Sequence, residues 1–374
     1  MNDFEYRLYF DNNSAKQEQI DLVEGISVEQ TMNMAWEGVL KIPFHVDETG
    51  NWVEEKEKFV KSFSRVRIEI NIGDSSFVPL IDGPVISIQN NMNSDPGESY
   101  LSVIVNDDSV YLNRKEEVNL FEDMTDNEIA EQLFAGSGQI TSTNIDVTPA
   151  SSSSLSPVIV QRETAIHLIR FLAKRNGFNA YVLPGDNPGQ SIGVFKSLPT
   201  VPGDFPAFVL LGENRNIKNF QITDDAQKPS LFTVSSVSIK DKSTSSAETN
   251  FGEINLLGDS VSSGNELNTS NIFVSPFNKE FLSPDTFVKA NSEKSSYSIR
   301  ATGETLEGLY NKALQPYKII TVRLGNSKYS GDYLIEKVNH KLNRSDYTQS
   351  FTLLRNAVSS DAGTSVGNLL GNIF

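Results

Sequence analysis

Two alternating runs joined by a polar turn near the C-terminus constrain the fold of this chain more than any other feature. From Tyr333 to Leu342 apolar or aromatic side chains alternate with polar ones, and the alternation resumes from Tyr347 to Leu354. The connecting residues 343–346 are all polar. Two period-2 runs with a short polar connection predict a β-hairpin. This hairpin closes the folded part of the chain, and a second β-rich block lies near the N-terminus.

The composition excludes several classes of function. A length of 374 residues favours about two to three domains. The chain has no Cys, which excludes disulfides, thiolate metal sites and a Cys nucleophile. Its formal charge of −16 argues against wrapping nucleic acid or binding an anionic membrane, because both need Lys and Arg. The 22 Phe and 11 Tyr residues suit β-type cores.

The distribution of apolar residues indicates where in the cell the chain is expected to be. The N-terminal residues lack the basic and apolar regions of a signal peptide. No apolar run approaches the roughly 18 residues of a membrane span. We therefore expect a soluble chain, made in the cytoplasm, that does not insert into a membrane.

Residues 1–112 predict a first β domain, an antiparallel barrel or sandwich. Alternation predicts strands at Phe4–Phe10, at 65–72, where Val and Ile face away from the polar residues, and at 99–105. Residues 77–89 predict two strands separated by a turn at Asp82–Pro84, because Pro suits a strand start or an edge. The charged residues 50–61 predict an exposed excursion with helical character.

Residues 113–205 predict a small α+β domain. Thr125 and Glu128 have the spacing of a capping box, and Gly136 ends the helix that follows. After a Ser-rich linker at 150–156, residues 161–177 predict an amphipathic helix with a Gly stop. Residues 178–183 and 191–196 then alternate as two strands.

Residues 206–357 predict a second β domain. Its clearest strands are 217–222, 231–240, 318–324 and the terminal hairpin. The polar stretch 240–271 predicts a long loop or insertion, because it has too little apolar surface to order itself. The spacing of apolar residues predicts a helix from Thr302 to Leu314. Residues 358–374 predict a flexible tail.

Five stretches, taken in order, resemble the late control D family of contractile-tail phages, which includes baseplate hub proteins and the hub part of type VI secretion spikes. These stretches are 80–88, 101–114, 121–134, 161–182 and 331–357, with the sequences LIDGPVISI, LSVIVNDDSVYLNR, FEDMTDNEIAEQLF, QRETAIHLIRFLAKRNGFNAYV and GDYLIEKVNHKLNRSDYTQSFTLLRNA. Each encodes mainly strands, caps and core. The likeness extends over residues 77–357.

The resemblance implies two tube-like antiparallel β-barrel domains that flank the α+β domain. Three chains would then place six barrels in a pseudo-hexameric ring that adapts a sixfold tail tube to a threefold spike. The implied partners are a second and third copy of the chain, the tail tube protein, a separate spike protein, the tape-measure protein and baseplate wedge proteins. The α+β domain would lie toward the spike. The implied location is the bacterial cytoplasm during assembly, and then a phage virion or a phage-tail-like injection particle.

The residue patterns do not predict catalysis, a cofactor or a metal site. The histidines are His45, His167 and His340, and no two of them have the spacing of a zinc motif. No nucleophile elbow or phosphate loop is present in the sequence. Each His is expected to be structural, and pairs of carboxylates are expected to be solvated surface. We therefore expect a structural protein and not an enzyme.

Three hypotheses concern partners. An acidic lumen would repel phosphate, although the same charge also serves ordinary solubility. The apolar Leu369, Leu370, Ile373 and Phe374 predict a docking peptide for the spike or tape-measure protein, with a frayed terminus as the alternative. The strands at Phe4–Phe10 and 217–222, together with the hairpin at 333–354, are the expected contact surfaces.

Two rival functions stay open at this point. A cell-wall-degrading component would need a globular segment that the sequence does not leave spare. A glycan-binding β-sandwich would use aromatics such as Trp36 and Trp52, which are more simply explained as packing residues.

Overall fold

The computed structural model describes most of the chain, in a first block (residues 4–112), a middle block (113–205) and a third block (206–359). The described residues are 4–47, 52–53, 60–73, 76–95, 97–148, 158–227, 231–237, 242–249, 254–261, 269–274 and 284–359. No helix in these ranges has both the length and the apolar character that crossing a membrane requires.

The first block is almost entirely β. Its elements are β1 (Phe4–Phe10), β2 (Asn13–Ser14), α1 (Gln17–Leu22), β3 (Gly25–Thr31), β4 (Glu37–Pro43), β5 (His45–Val46), β6 (Trp52–Val53), β7 (Arg65–Ile72), β8 (Val78–Asn91), β9 (Tyr100–Asn106) and α2 (Ser109–Leu112). The strands predicted from alternation at β1, β7 and β9 are confirmed. Leu40, Ile68 and Val103 lie in the core that these strands enclose. Most of the predicted excursion at 50–61 lies outside the described residues.

The predicted turn at Asp82–Pro84 is wrong, because β8 continues through it. The strand changes partner there: residues up to Pro84 pair with β7, and residues from Val85 onward pair with β9. At Gly83 a Cβ atom would lie 1.9 Å from the carbonyl oxygen of Asn106. The Gly-Pro signal therefore marks a bend and a close backbone approach.

The middle block contains both helices and strands. Its elements are β10 (Asn119–Glu122), α3 (Asp126–Ala135), β11 (Ile140–Ile145), β12 (Val158–Gln161), α4 (Ala165–Arg175), β13 (Asn179–Pro184) and β14 (Ser191–Lys196). The capping box is confirmed, since the carboxylate of Glu128 accepts the N–H of Thr125 at 2.7 Å. Gly177, with φ of 74°, follows α4 as predicted. Both helices pack on a core with the sheet β11-β14-β13.

The third block contains the predicted terminal hairpin. Its elements are β15 (Phe208–Val209), β16 (Ile217–Asp224), β17 (Leu231–Val237), β18 (Thr244–Glu248), β19 (Thr269–Val274), α5 (Pro284–Ser296), β20 (Ile299–Thr305), β21 (Ile319–Arg323), β22 (Gly331–Asn343) and β23 (Tyr347–Arg355). β22 and β23 form the hairpin, and β16, β17 and β21 match the other predicted strands.

The predicted helix from Thr302 to Leu314 is wrong. Residues up to Thr305 belong to β20, which pairs with β16 on one side and β23 on the other. The next residues are turns and loop, in which Tyr310 and Leu314 are buried while Leu309 is exposed. Tyr310 and Leu314, whose spacing resembled one face of a helix, belong to the third-block core although they lie in an irregular segment.

The stretch 240–271 is not only a loop. Within it β18 pairs with β17, and β19 begins there and pairs with β17 on the other side. Phe232, Val234 and Ala247 form a small core with Val288 of α5. The apolar surface that the stretch lacks comes from neighbours on both sides in the sequence, which is why the local composition failed to predict the sheet.

One large sheet joins the first and third blocks. Its order is β16-β20-β23-β22-β3-β4-β9-β8-β7-β1-β2, with β21 beside β22 and β15 beside β21. β22 pairs antiparallel with β3, so the terminal hairpin continues into the first block. Leu342 and Tyr347 of the hairpin lie in the first-block core, whereas Tyr333 and Phe351 lie in the third-block core. The chain is thus β-rich, with a large and mostly antiparallel sheet.

Candidate functional site

The three blocks contact one another at a junction. It is made by Arg65, Arg67, Asp82 and Asp108 of the first block, the loop 185–189 of the middle block, and Tyr317 of the third block. Arg65 and Arg67 are on one face of β7, and both reach Asp82 of β8. Arg65 Nε lies 2.6 Å from Asp82 Oδ1, and Arg67 Nη1 lies 3.0 Å from Asp82 Oδ2. Arg65 also makes two bonds to Asp108, at 3.0 and 2.7 Å. Asp82 is fully buried, and its burial raises the pKa of the carboxyl although both guanidiniums lower it.

The guanidinium of Arg67 holds the loop between β13 and β14 on the first block. It donates to the carbonyl oxygens of Gly185, Asp186 and Asn187, at 2.8, 3.1 and 3.3 Å. From the same loop, the N–H of Gly189 donates to Asp82 Oδ2 at 3.0 Å. The contact is therefore made with backbone groups of the loop, and a planar fork of N–H donors suits their arrangement.

The polar face of β7 was predicted to point away from the apolar one, and it does. This polar face is nevertheless covered, which alternation alone does not predict: Arg67 is 1% exposed and Glu69 6%. Arg67 Nε lies 2.7 Å from Glu69 Oε1, so the face is internally paired. Alternating Arg and Glu on one strand, opposite Asp82 on the next, was the signal available for a buried charge network.

Tyr317 contacts all three blocks. Its ring stacks on Tyr181 of the middle block, with centroids 3.6 Å apart and planes 5° apart. Its hydroxyl oxygen accepts the N–H of Asn33 in the first block at 2.6 Å, and its own N–H donates to Ile335 O in the third block. Burial raises the pKa of both phenols, so both are neutral at physiological pH.

His340 links the first and third blocks. Its Nδ1 lies 2.8 Å from the hydroxyl of Tyr347, and its Nε2 lies 3.4 Å from Gln30 Oε1. Gln30 in turn donates to Leu80 O at 2.7 Å. Complete burial lowers the pKa of His340 to about 3, so the ring is neutral and acts as a hydrogen-bonding core residue.

The other two histidines are far less enclosed. His45 is exposed on β5, and the exposed His167 of α4 lies 3.6 Å from Glu163, which precedes the helix. Within the described ranges no three His, Asp or Glu side chains are grouped so that they could hold a metal.

The expected contact strands occupy two kinds of position. β1 and β16 lie near the two ends of the main sheet, with only the two-residue β2 beyond β1. β22 and β23 lie inside the sheet, with a partner on each side. Only the faces and the turn of the hairpin are therefore available for contacts with other proteins.

An exposed apolar face on the middle block was not predicted. β10 and β12 form a two-stranded ribbon in which Leu120 lies opposite Val160. Val118, Leu120 and Val158 are exposed on one face, while Phe121 is buried on the other. The alternation around Phe121 was the available signal for this ribbon.

Two sets of predicted residues are not brought into the site. Leu369, Leu370, Ile373 and Phe374 lie outside the described residues. Trp36 is buried in the first-block core, and the side chain of Trp52 is also outside the described part.

No protein-family model matches the sequence, and no curated protein matches it. Among solved structures, the chain is similar to the 43 kDa tail protein of prophage MuSo2 from Shewanella oneidensis, with a TM-score of 0.65, 16% identity, and coverage of 95% of this chain and 99% of that one. A tail protein from Neisseria meningitidis gives a TM-score of 0.64 and 14% identity, covering 94% and 96% of the two chains. An E. coli component of the type VI secretion system gives 0.52 and 9%, covering 89% of this chain and 73% of that one.

These likenesses extend over almost the whole chain at very low sequence identity. They therefore concern the arrangement of the backbone. The chain has the fold of phage tail proteins, which a type VI secretion component shares.

Proposed function

We propose that this protein is the structural baseplate hub of a contractile injection system, either a phage tail or a phage-tail-like particle. The observation that carries the proposal is the full-length likeness of fold to two tail proteins, each covered over at least 96% of its own length. The order of motifs that resembles the late control D family supports the same role.

In the proposed assembly, three copies form a ring of six tube-like β domains. The two cores on one continuous sheet, one in each β block, support two such domains per chain. Cyclic closure repeats every contact three times, so modest contacts between chains suffice. One side of the ring would meet a sixfold tail tube, and the other a threefold spike on a separate chain. Tape-measure and wedge proteins are the further proposed partners.

The proposed role is geometric and has no catalytic step. The junction supports it, because Arg67 and Tyr317 fix the middle block against both β blocks. A hub that matches two symmetries needs its parts in one fixed relation. The complete burial of His340 in the core is in keeping with a structural role for that residue.

The test is the mass and symmetry of the purified chain, alone and co-expressed with tail tube and spike proteins encoded beside it. The expected mass is about 124 kDa, three times the chain mass of 41.4 kDa, and electron microscopy should show threefold rings that stack on tube rings. Monomers of 41.4 kDa that bind neither tube nor spike protein would end the proposal. Cleavage of cell-wall glycan by the purified chain would favour the degrading component instead.

A further inference from the structure

The first and third blocks contain the same series of strands. In the first block the strand order is β3-β4-β9-β8-β7-β1, and in the third it is β16-β20-β23-β22-β21-β15. The two series also match in chain order, since β1 corresponds to β15, β3 to β16, β4 to β20, β7 to β21, β8 to β22 and β9 to β23. The short β15 is the one departure, because it is parallel to β21 whereas β1 is antiparallel to β7. The two blocks are therefore repeats of one structural unit.

The long strands β8 and β22 fix the register between the repeats. Pairing with the following strand skips one residue in each, Ile86 in β8 and Glu336 in β22. The residue before the skipped one accepts a backbone N–H, from Phe63 in the first block and from Tyr317 in the third. These two aromatic residues have φ of 64° and 62°, a conformation that is rare for bulky side chains. Residue 86 therefore corresponds to residue 336, and 87–91 correspond to 337–341.

The junction between the blocks uses one strand of each repeat. From Lys337 to Asn343, β22 pairs with β3. The corresponding residues 87–91 of β8 pair with β9 on one side, and no strand in the described ranges pairs with them on the other. β16 is the counterpart of β3 and ends the main sheet, with β20 as its only neighbour among the described strands. Both halves of the junction thus occur a second time in the chain, each without the other half.

Exposed apolar side chains lie at the unpaired edge of β8. They are Phe63, Ile86 and Met92. Met92 follows β8 and corresponds to Leu342, which crosses the junction into the first-block core and is 3% exposed. Met92 itself is 54% exposed. The edge therefore has the apolar residues of a junction without the cover that a junction supplies.

β16 has the residues to supply that cover. When the pairings are followed from strand to strand, Ile26 and Val28 of β3 correspond to Phe220 and Ile222 of β16. Ile26 and Val28 are buried, whereas Phe220 and Ile222 are half-buried. Six strands of the main sheet separate β16 from β8 within one chain. Because an unpaired edge is a template for another strand, a second copy of the chain fits both edges.

We propose that residues 87–91 pair antiparallel with β16 of a second copy of this chain, in the register that β22 has on β3. Gln89 then lies opposite Thr223, as Asn339 lies opposite Glu29 within the chain. The contact joins two different surfaces, so it forms a ring where the rotation closes. The proposal deepens the hub function, and it rests on that function for the closure of three copies.

Disulfide trapping tests the register. The natural chain has no Cys, so Gln89→Cys with Thr223→Cys introduces one possible pair between copies, and each single variant is a control. Oxidation should give dimer- and trimer-sized products in excess of those from the single variants. Gln89→Cys with Asn219→Cys is the register control and should give no excess, because Asn219 lies about 13 Å from Thr223 along the strand at ~3.3 Å per residue. A ladder of products larger than trimers would support the contact and contradict the closed ring.

Two other outcomes separate this contact from the hub function. Threefold rings in which the pair Gln89→Cys and Thr223→Cys gives no excess of disulfide would overturn the contact and leave the hub function standing. A chain that stays monomeric with tail tube and spike proteins present would overturn both.

A substitution in the natural background, without added Cys, gives a second test. Met92→Ala should raise the dissociation constant between copies about 10- to 100-fold, since burial of one large apolar side chain contributes a factor of that size. Leu120→Ala is the matched control, because Leu120 is exposed on the middle block and lies outside the proposed contact. Analytical ultracentrifugation measures both constants. Equal constants for Met92→Ala and the natural chain would overturn the proposal.

Discussion

Replacing Arg67 by Met should weaken the attachment of the middle block to the first block. The substitution leaves the carbonyls of Gly185 and Asp186 without their donor and leaves Glu69 buried with no cation. Asp82 keeps Arg65 and Gly189 N–H as partners. Because breaking a buried ion pair leaves an uncompensated charge, the expected loss of unfolding free energy is about 3–5 kcal/mol.

Urea unfolding measures this loss, because urea is uncharged and does not screen the ion pairs. The fluorescence of the buried Trp36 reports on the unfolding of the first block. Arg300→Met is the matched control: Arg300 pairs with Glu336 at 2.9 Å, but its side chain is 53% exposed. An exposed pair of this kind contributes about 0–1 kcal/mol. Hydrogen exchange in residues 184–190 should rise in Arg67→Met and stay unchanged in the control.

A second substitution identifies the source of the loss. If the uncompensated carboxylate dominates, then Arg67→Met combined with Glu69→Leu should recover part of the stability that Arg67→Met loses. A loss no greater than that of Arg300→Met, with unchanged exchange in the loop, would refute the role assigned to Arg67.

The junction and β8 lead to three more expected outcomes. Tyr317→Phe keeps the ring stack but leaves the N–H of Asn33 without its acceptor, so thermal unfolding should show a loss of about 1–3 kcal/mol; Tyr317→Ala should lose more, and equal losses would mean that the stack contributes nothing. Gly83→Ala places a Cβ 1.9 Å from a backbone oxygen of β9 and should prevent or strongly weaken folding, whereas Gly136→Ala, with its nearest neighbour at 3.4 Å, should be tolerated; soluble yield and circular dichroism check both. Burial raises the pKa of Asp107 to about 6 from 3.8, so the folded chain holds that proton more tightly than the unfolded chain. This contribution to stability is complete below pH 4 and disappears as pH rises through 6, a change of ~3 kcal/mol; Asp107→Asn should flatten the pH dependence of urea midpoints over that window, and an unchanged slope would contradict the shift.

Local sequence patterns were sufficient for about half of the strands and for both middle-block helices. β1, β7 and the terminal hairpin have period-2 patterns that need no distant information. The capping box at Thr125 and the glycine at Gly177 are equally local signals. Each of these elements has an apolar face whose residues recur at a regular spacing within a short stretch of sequence.

The failures share a physical cause, which is that distant partners decided the outcome. Asp82–Pro84 has the residues of a turn, but pairing with β7 and then β9 keeps it extended. The segment after Thr302 has helical spacing, but its first residues are a strand because they pair with β16 and β23. The stretch 240–271 packs on apolar residues of β17 and α5, which lie outside it in the sequence.

The junction itself was hidden for the same reason. Arg67 and Asp186 are 119 residues apart in sequence, and Tyr317 and Asn33 are 284 apart. No local pattern relates such positions. A charged face on an otherwise apolar strand predicts a solvent-exposed surface. The sequence does not show that a distant loop covers this face.

The polar character of this junction favours orientation over raw stability. Apolar residues of equal volume would stabilise a junction at least as well, since buried ion pairs often contribute little net free energy. They would, however, tolerate sliding and rotation, because apolar contact has no direction. The three carbonyls on Arg67 and the Gly189 N–H on Asp82 have fixed directions. Any other placement of the middle block leaves these carbonyls and this N–H without their partners, at a cost of about 1–3 kcal/mol for each group that stays buried. These contacts therefore select one arrangement of the middle block on the first block, which is the property that the proposed hub requires of every copy in its ring.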